Sequence, residues 1–227
     1  MQQIISKVEV WCSRPDPFND TEEFSFQCDF TPSQNTIGHL ARVLVEFNGY
    51  SAAQALNVAF LTVDAGRLEP IAAPIIADIV KDCRTTLGVS CFGETSTNEI
   101  LWERYAANGN GICVELEVTN GGPQTSIYKV DYVPSRVVPI DLILRSSFDH
   151  EAALDCYKLI LTTKTNSWLP EQEIRLISSV PDVSLKLKDA QVSRVILGRN
   201  VSLESADRIR RIAAECSEPP IVEAHAA

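Results

Sequence analysis

The spacing of apolar residues constrains the fold of this chain more than any other feature. Before residue 89, three segments repeat apolar side chains every three or four residues, and each is followed by a glycine: Gly49, Gly66 or Gly88. This is the pattern of amphipathic helices and their stops. The later apolar runs are shorter and resemble strands. Because helices and strands do not alternate regularly, we predict an α+β fold, with a helical cluster in the first half and a mainly antiparallel sheet in the second half.

Local signals in the second half predict the individual elements. Ser96 and Glu99 have the spacing of a capping box, which predicts the start of a helix. Asn120-Gly121-Gly122-Pro123 is turn-forming and predicts a hairpin between strands at 112–118 and 125–132. The other predicted elements are strands at 8–12, 89–92, 171–178 and 192–197, and helices at 149–163 and after Ser202.

The composition is that of an ordinary globular protein. The chain has 227 residues, of which 45% are hydrophobic and 22% are charged. Since no repeat, low-complexity tract or linker interrupts it, we predict a single domain over residues 1–227, with residues 219–227 as a flexible C-terminal tail. No signal-peptide pattern occurs, and no apolar stretch approaches the roughly 20 residues of a membrane helix. We therefore predict a cytoplasmic protein that does not contact membranes.

Charge and cysteine usage limit the partners and cofactors. The net charge of −10 and the pI of about 4.8 disfavour nucleic acid, because binding to phosphates requires clustered cations. The seven cysteines include no Cys-x-x-Cys pair and lie mostly in apolar strings, which is typical of free, buried thiols in a reducing compartment. Without paired ligand spacing we predict no metal site. The oligomeric state stays open.

Two segments are richer in polar or aromatic residues than their structural roles require. The first is the loop from Arg14 to Glu23, although its Asn and Asp residues are also ordinary turn formers. The second contains Trp102 and Tyr105, which lie three apart on one face of a predicted helix, a pattern that core packing also produces. Each segment supports both a structural and a functional interpretation.

A third segment contains two carboxylates and a guanidinium in alternation. On a strand, Glu171, Glu173 and Arg175 would project from one face. Two carboxylates beside a cation can stabilise the positive charge that develops on a sugar and can activate a nucleophile. The alternative is a half-exposed strand with a surface ion pair that contributes little. The residues alone leave both interpretations open.

Short motifs follow one another along nearly the whole chain: Ser13-Arg14-Pro15, Phe18-Asn19-Asp20, Glu23, Cys91-Phe92, Leu101-Trp102, Tyr105-Ala106, Gly111-Ile112-Cys113, Lys129, Tyr132, Lys164, Trp168, Glu171, Glu173-Ile174-Arg175 and Val195-Ile196-Leu197-Gly198. In this order they resemble a bacterial family known as domain of unknown function 2971. The family name implies no activity. The substrate-binding candidates among the matching residues are Arg14, Asn19, Asp20, Glu23, Trp102, Tyr105, Lys164 and Arg175.

The chain also has a weaker similarity to ADP-ribosyltransferases. Those folds place a Glu-x-Glu on a late strand, like Glu171-Gln172-Glu173 here. The similarity, which is a fold-level analogy, implies that Glu171 and Glu173 are catalytic and that NAD is the substrate. Glu173 would then hold the hydroxyl of the nicotinamide ribose, and Glu171 would orient the acceptor. Tyr105 or Trp102 would stack on the nicotinamide.

Two hypotheses about function follow. The first is an enzyme-like domain with a polar cleft formed by the Arg14–Glu23 loop, the Trp102–Tyr105 helix and the Glu171–Arg175 strand. It would bind a small molecule or nucleotide and perform NAD-dependent ADP-ribosyl transfer, as an effector in bacterial conflict or phage defence. The second is a non-catalytic module that binds a ligand or a protein, in which the same polar residues serve recognition or the fold.

Overall fold

The computed structural model describes residues 2–15, 18, 20, 22–119, 122 and 125–225. Its helices are Gln2–Lys7 (α1), Thr36–Asn48 (α2), Ala52–Asp64 (α3), Glu69–Thr85 (α4), Glu99–Tyr105 (α5), Ile140–Ser146 (α6), His150–Leu161 (α7) and Leu203–Ala214 (α8), with a 3-10 helix at Asn166–Glu171. Its strands are Glu9–Cys12 (β1), Gln27–Asp29 (β2), Gly88–Gly93 (β3), Ile112–Val118 (β4), Thr125–Lys129 (β5), Asp131–Val133 (β6), Val137–Pro139 (β7), Thr163–Thr165 (β8), Glu173–Ser178 (β9), Val183–Lys186 (β10), Ala190–Leu197 (β11) and Ile221–Ala224 (β12). The predicted α+β class is confirmed.

The chain divides into two compact units, where the sequence predicts one domain. Unit 1 comprises Met1–Pro15, Thr86–Val130 and Ser167–Ala227, and unit 2 comprises Asp16–Thr85 and Asp131–Asn166. Most of the sheet structure belongs to unit 1, whereas α2, α3, α4, α6 and α7 belong to unit 2. None of the helices in the described part of the chain has the length and apolarity that crossing a membrane requires.

The sheets of unit 1 are mainly antiparallel. Strand β9 lies between β3 and β5 and is antiparallel to both. Strand β11 lies between β4, to which it is antiparallel, and β12, to which it is parallel. Strands β1 and β10 form a separate antiparallel pair. The central strand of each three-stranded sheet therefore comes from the last third of the chain.

One core cluster of unit 1 packs helices α1 and α8 against the β11 sheet. Its buried members include Ile5, Val195 and Ile209. Beyond the end of β11, Gly198 comes very close to another backbone segment, because a Cβ at this position would touch the carbonyl oxygen of Gly109. Glycine is required there for space.

Unit 2 is mainly helical, and its helices follow from local signals. Gly49 ends α2 with a φ of +72°, and its N–H donates to the carbonyl of Leu44. Ser51 begins α3 with a capping box that Gln54 completes. Such caps satisfy backbone groups that a helix end leaves unpaired. The three helices predicted in the first half are therefore confirmed.

Predictions that depended on strand pairing were less successful. The hairpin between residues 112–118 and 125–132 is wrong, because β4 pairs with β11 while β5 pairs with β9. The turn predicted to join them lies largely outside the described residues. Residues 219–227, predicted as a tail, contain β12, which pairs in parallel with β11.

Candidate functional site

Helix α5 positions two of the predicted site residues, Trp102 and Tyr105. The helix begins after Asn98, whose Oδ1 accepts a hydrogen bond from the backbone N–H of Ile100 at 3.1 Å. Trp102 is 4% exposed, and its indole N–H donates to the carbonyl of Ser96 at 2.7 Å. Tyr105, one turn later, is 58% exposed. A buried indole with a satisfied N–H anchors a helix, so Trp102 fixes the position from which Tyr105 projects.

Glu171 accepts a hydrogen bond from the hydroxyl of Tyr105. This carboxylate is 3% exposed, and its Oε1 accepts from the Tyr105 hydroxyl and from Nη1 of Arg104, each at 2.9 Å. Glu171 ends the 3-10 helix, and the next residue, Gln172, has a φ of +46°. The prediction that Glu171 belongs to the strand is therefore wrong, because β9 begins only at Glu173.

Arg104 joins Glu171 to an aromatic ring. Its guanidinium lies 5.3 Å from the centroid of the Trp168 ring, a cation–π distance. The Arg104 side chain is 46% exposed, in contrast to the buried carboxylate that it pairs with.

Glu173 and Arg175 project from one face of β9, as predicted. Arg175 donates from Nε to Glu173 Oε1 at 2.7 Å and from Nη2 to Glu173 Oε2 at 3.3 Å. Arg175 is 0% exposed and Glu173 is 5% exposed. The pair is bidentate and buried, so each charge offsets the desolvation cost of the other.

Arg14 belongs to a surface ion pair in unit 1. Its Nε lies 2.5 Å from Oδ2 of Asp182, and its backbone N–H donates to Oδ1 of the same residue at 3.0 Å. The backbone hydrogen bond is the main reason that the pKa of Asp182 is lowered. Both side chains are largely exposed, so this pair stabilises the loop locally and contributes little to the fold.

Unit 2 gathers three predicted substrate-binding residues around a cation that the sequence did not single out. Nη2 of Arg136 lies 3.9 Å from Oδ2 of Asp20, and its Nη1 lies 4.0 Å from Oε1 of Glu23. Nζ of Lys164 lies 3.7 Å from Oε2 of Glu23. All four side chains are buried. These separations exceed the 2.7–2.9 Å of a direct charged hydrogen bond. Asn19, the remaining candidate of this loop, lies outside the described residues.

A groove of about 740 Å³ opens within unit 1. Strands β3, β4, β5, β9 and β11 and helix α5 all contribute side chains or backbone to its lining. Apolar residues dominate the lining, and the strand contributions include Phe92, Ile127, Ile174 and Leu176. The volume falls within the range of about 300–1,000 Å³ that is usual for small-molecule sites.

Strand β9 separates this groove from the buried ion pair. Side chains alternate along a strand, so Ile174 and Leu176 lie on one face while Glu173 and Arg175 lie on the other. Ile174 is paired with Phe92 across the sheet, which places both side chains on the groove face. Glu173 and Arg175 therefore project away from the groove.

The polar part of the groove includes an ion pair between Glu115 and Arg194. The guanidinium of Arg194 donates to both carboxylate oxygens of Glu115, at 2.6 and 3.2 Å, and to Glu223 at 3.1 Å. The hydrogen bond from Arg194 is the main reason that the pKa of Glu115 is lowered. Tyr105 also lines the groove, so the residue that contacts Glu171 reaches this space as well.

Sequence reasoning identified Tyr105 and Trp102 but missed the groove itself. Phe92 and Ile174 belong to the motifs of the family resemblance and Ile127 to a predicted strand, but none of them was predicted to line a site, since an apolar residue in a strand does not reveal whether it packs or lines a groove. Arg136 was also missed, because it is an isolated arginine in a turn between two short strands. Neither residue type carries a local signal for its role.

Comparisons with known proteins add no assignment to this geometry. Among the described residues, no group of three or more His, Cys, Asp or Glu side chains is arranged to hold a metal ion. The resemblance to the domain of unknown function 2971 and the similarity to ADP-ribosyltransferases stay predictions. No family model, curated protein or solved structure matches the chain.

Proposed function

We propose that unit 1 is a binding module whose groove holds a small, flat organic molecule. The observation that carries this proposal is the groove of about 740 Å³, which combines apolar side chains from the strands with the polar residues 94–98 and the Glu115–Arg194 pair. Sites for small ligands have this composition, because apolar walls provide affinity and a few polar groups fix orientation. The exposed ring of Tyr105 supplies an aromatic surface against which a flat ligand can stack.

The charges at the groove favour an uncharged heteroaromatic ligand, such as a nucleoside or a free base. Arg194 is the cation that lines the groove, and it is already paired with Glu115 and Glu223. Its charge is therefore largely compensated. Glu94 and Glu115 line the groove as well. Glu94 is itself paired with Lys129, so the charges that line the groove are compensated in pairs. A phosphate group would have to displace a carboxylate from Arg194, so a ligand without phosphate fits better.

The positions of the two catalytic candidates also favour binding over catalysis. Glu171 and Glu173 are buried, and each accepts hydrogen bonds from a guanidinium. A carboxylate that stabilises a sugar cation must reach the reacting carbon. Glu173, moreover, lies on the face of β9 that projects away from the groove.

A second candidate is NAD-dependent ADP-ribosyl transfer centred on Glu171. It is favoured by Tyr105, which lines the groove and donates a hydrogen bond to Glu171 at 2.9 Å. In that reaction the bond between ribose and nicotinamide breaks, nicotinamide leaves with the electron pair, and the ribosyl carbon bonds to an acceptor. A carboxylate near the ribose would stabilise the intervening positive charge. A role in bacterial conflict or phage defence would belong to this candidate.

The binding proposal is tested by thermal shift with adenosine, nicotinamide, AMP and NAD. A ligand that binds the folded state raises the melting temperature. We expect a shift with an uncharged heteroaromatic compound and a smaller one with AMP. Ile127→Trp should abolish the shift, because Ile127 lines the groove and is 42% exposed. Ile221→Trp, at a 63% exposed position outside the groove lining, should retain it.

The two candidates give different outcomes. A shift that persists in Ile127→Trp, or no shift with any of the four compounds, would contradict the binding proposal. NAD consumption by the parent with the ribosyl group recovered on an acceptor, which Glu171→Gln abolishes without a change in melting temperature, would establish the transferase. No NAD consumption by the parent would exclude that reaction and leave the binding proposal in place.

A further inference from the structure

Helix α3 carries a face of large apolar side chains that unit 2 leaves uncovered. The helix is rich in apolar residues, yet Ala55 and Ala59 are its buried members. Leu56, Phe60 and Leu61 are 53%, 54% and 52% exposed. Leu56 and Phe60 lie one turn apart on the same side of the helix, and Leu61 lies beside the polar residues Asn57 and Asp64. Large apolar side chains that are exposed together on one helix indicate a contact with a partner.

The exposed apolar side chains continue at the turn between α2 and α3. Phe47 in the last turn of α2 is 59% exposed, and Tyr50, just before α3, is 39% exposed. We call Phe47, Tyr50, Leu56, Phe60 and Leu61 the α3 surface. Full burial of an aromatic side chain removes about 200 Å² from water. On that scale the three rings expose about 300 Å², and the two leucines bring the α3 surface to about 500 Å².

We infer that the α3 surface is the contact through which two copies of this chain associate. A standard interface buries about 800 Å² on each partner. The apolar share in homodimers is about 65%, or roughly 520 Å². The α3 surface therefore has the apolar area that the centre of such a homodimer requires.

The charge distribution favours a second copy over a membrane surface. The chain has a net charge of −10, so two copies repel each other over most of their surface. Residues 49–63 contain no charged side chain, and Asp64 is the first after them. Glu46, next to Phe47, and Asp64, one turn after Phe60, lie at the edges of the α3 surface, so two acidic copies can meet there over an uncharged centre. Membrane-surface helices, in contrast, carry Lys and Arg on their polar face, which α3 lacks.

The test is the mass of the full chain in solution, measured by sedimentation from about 1 to about 100 µM. We expect a species of twice the chain mass of 25.0 kDa. Leu56→Glu should reduce the mass to that of a single chain by placing two carboxylates at the contact. Leu154→Glu is the matched control, because Leu154 is 49% exposed on helix α7 of the same unit. It should keep the doubled mass.

Three further measurements distinguish self-association from misfolding of the variant and from binding to a membrane. Far-UV circular dichroism should show that Leu56→Glu retains its helices, and Phe60→Gln should weaken the dimer at least tenfold without adding charge. A parent chain of single-chain mass across the range would overturn the inference. So would binding to vesicles of anionic lipid that Leu56→Glu abolishes, because the surface would then face a membrane.

Discussion

At the scale of single residues, Arg175 illustrates how one buried charge constrains its neighbours. Its side chain is 0% exposed, and Glu173 accepts hydrogen bonds from two of its nitrogens. Moving a guanidinium out of water is costly unless a counter-charge lies in contact with it. Glu173 supplies that charge from two positions earlier on the same strand, so the pair is in place as soon as β9 forms.

We predict that Glu173→Gln destabilises the protein by about 3–5 kcal/mol, the usual effect of removing one charge of a buried ion pair. Urea denaturation of the variant and the parent measures the difference. Glu171→Gln is the control, since its partner Arg104 is 46% exposed and can return to water. That substitution should cost less than Glu173→Gln, because Arg104 is not held as a buried charge. Equal losses in the two variants would contradict this assignment of roles.

At the scale of elements, helix α5 shows how tertiary contacts select one cap among several candidates. Ser96, Thr97 and Asn98 are successive residues that can all cap a helix. The predicted capping box at Ser96 is wrong, because α5 begins at Glu99 and Asn98 supplies the cap. Asn98 also donates from Nδ2 to the carbonyl of Pro170 at 2.7 Å. The cap therefore ties α5 to the 3-10 helix that holds Glu171.

Substitution at the two cap positions should separate these roles. Asn98→Ala removes the hydrogen bond that the Ile100 amide donates and the one that Asn98 donates to Pro170. We therefore expect the free energy of unfolding, measured in urea, to fall by about 1–2 kcal/mol. Ser96 contributes its backbone carbonyl to the Trp102 indole, and alanine retains that group. Ser96→Ala should therefore change the melting temperature by less than the error of the scan. A larger effect of Ser96→Ala than of Asn98→Ala would contradict the assignment of the cap to Asn98 and would support the predicted capping box at Ser96.

At the scale of the whole molecule, the seven cysteines are free thiols, and several are buried. Burial raises the pKa of Cys12 to about 11 in unit 1, and it raises the pKa values of Cys83 and Cys156 to about 12 in unit 2. In the unfolded chain a thiol ionises near pH 9. Between that pH and the folded pKa, the unfolded state loses protons that the folded state retains.

Below pH 9 these thiols should therefore leave the free energy of unfolding unchanged. As the pH rises from 9 toward 11–12, their ionisation in the unfolded chain should lower it. The measurement is the free energy of unfolding in urea at pH 7.5, 9, 10 and 10.5. Cys83→Ala combined with Cys156→Ala should flatten the decline, although its stability at pH 7.5 is lower because two cavities are created. If the variant and the parent decline in parallel, ionisation of the buried thiols does not cause the alkaline loss.

Sequence reasoning succeeded where the determining interactions are local. Gly49 and Gly66 mark the ends of α2 and α3 within a few residues, because helix hydrogen bonds join residues four apart. It also placed Glu173 and Arg175 on one face of a strand, since side-chain alternation is a local property. It could not separate Glu171 from that strand, because the φ of Gln172 and the contacts of Arg104 and Tyr105 carry no pattern in the sequence.

The sequence by itself determined the α+β class and the helices of the first half. Tertiary structure decided which strands pair, because β9 joins β3 and β5 across long stretches of chain and a local turn signal cannot specify such a partner. It also decided that one face of β9 lines a groove while the other holds a buried ion pair. Both faces follow from the same alternation, and only the packing of distant elements against the strand distinguishes them.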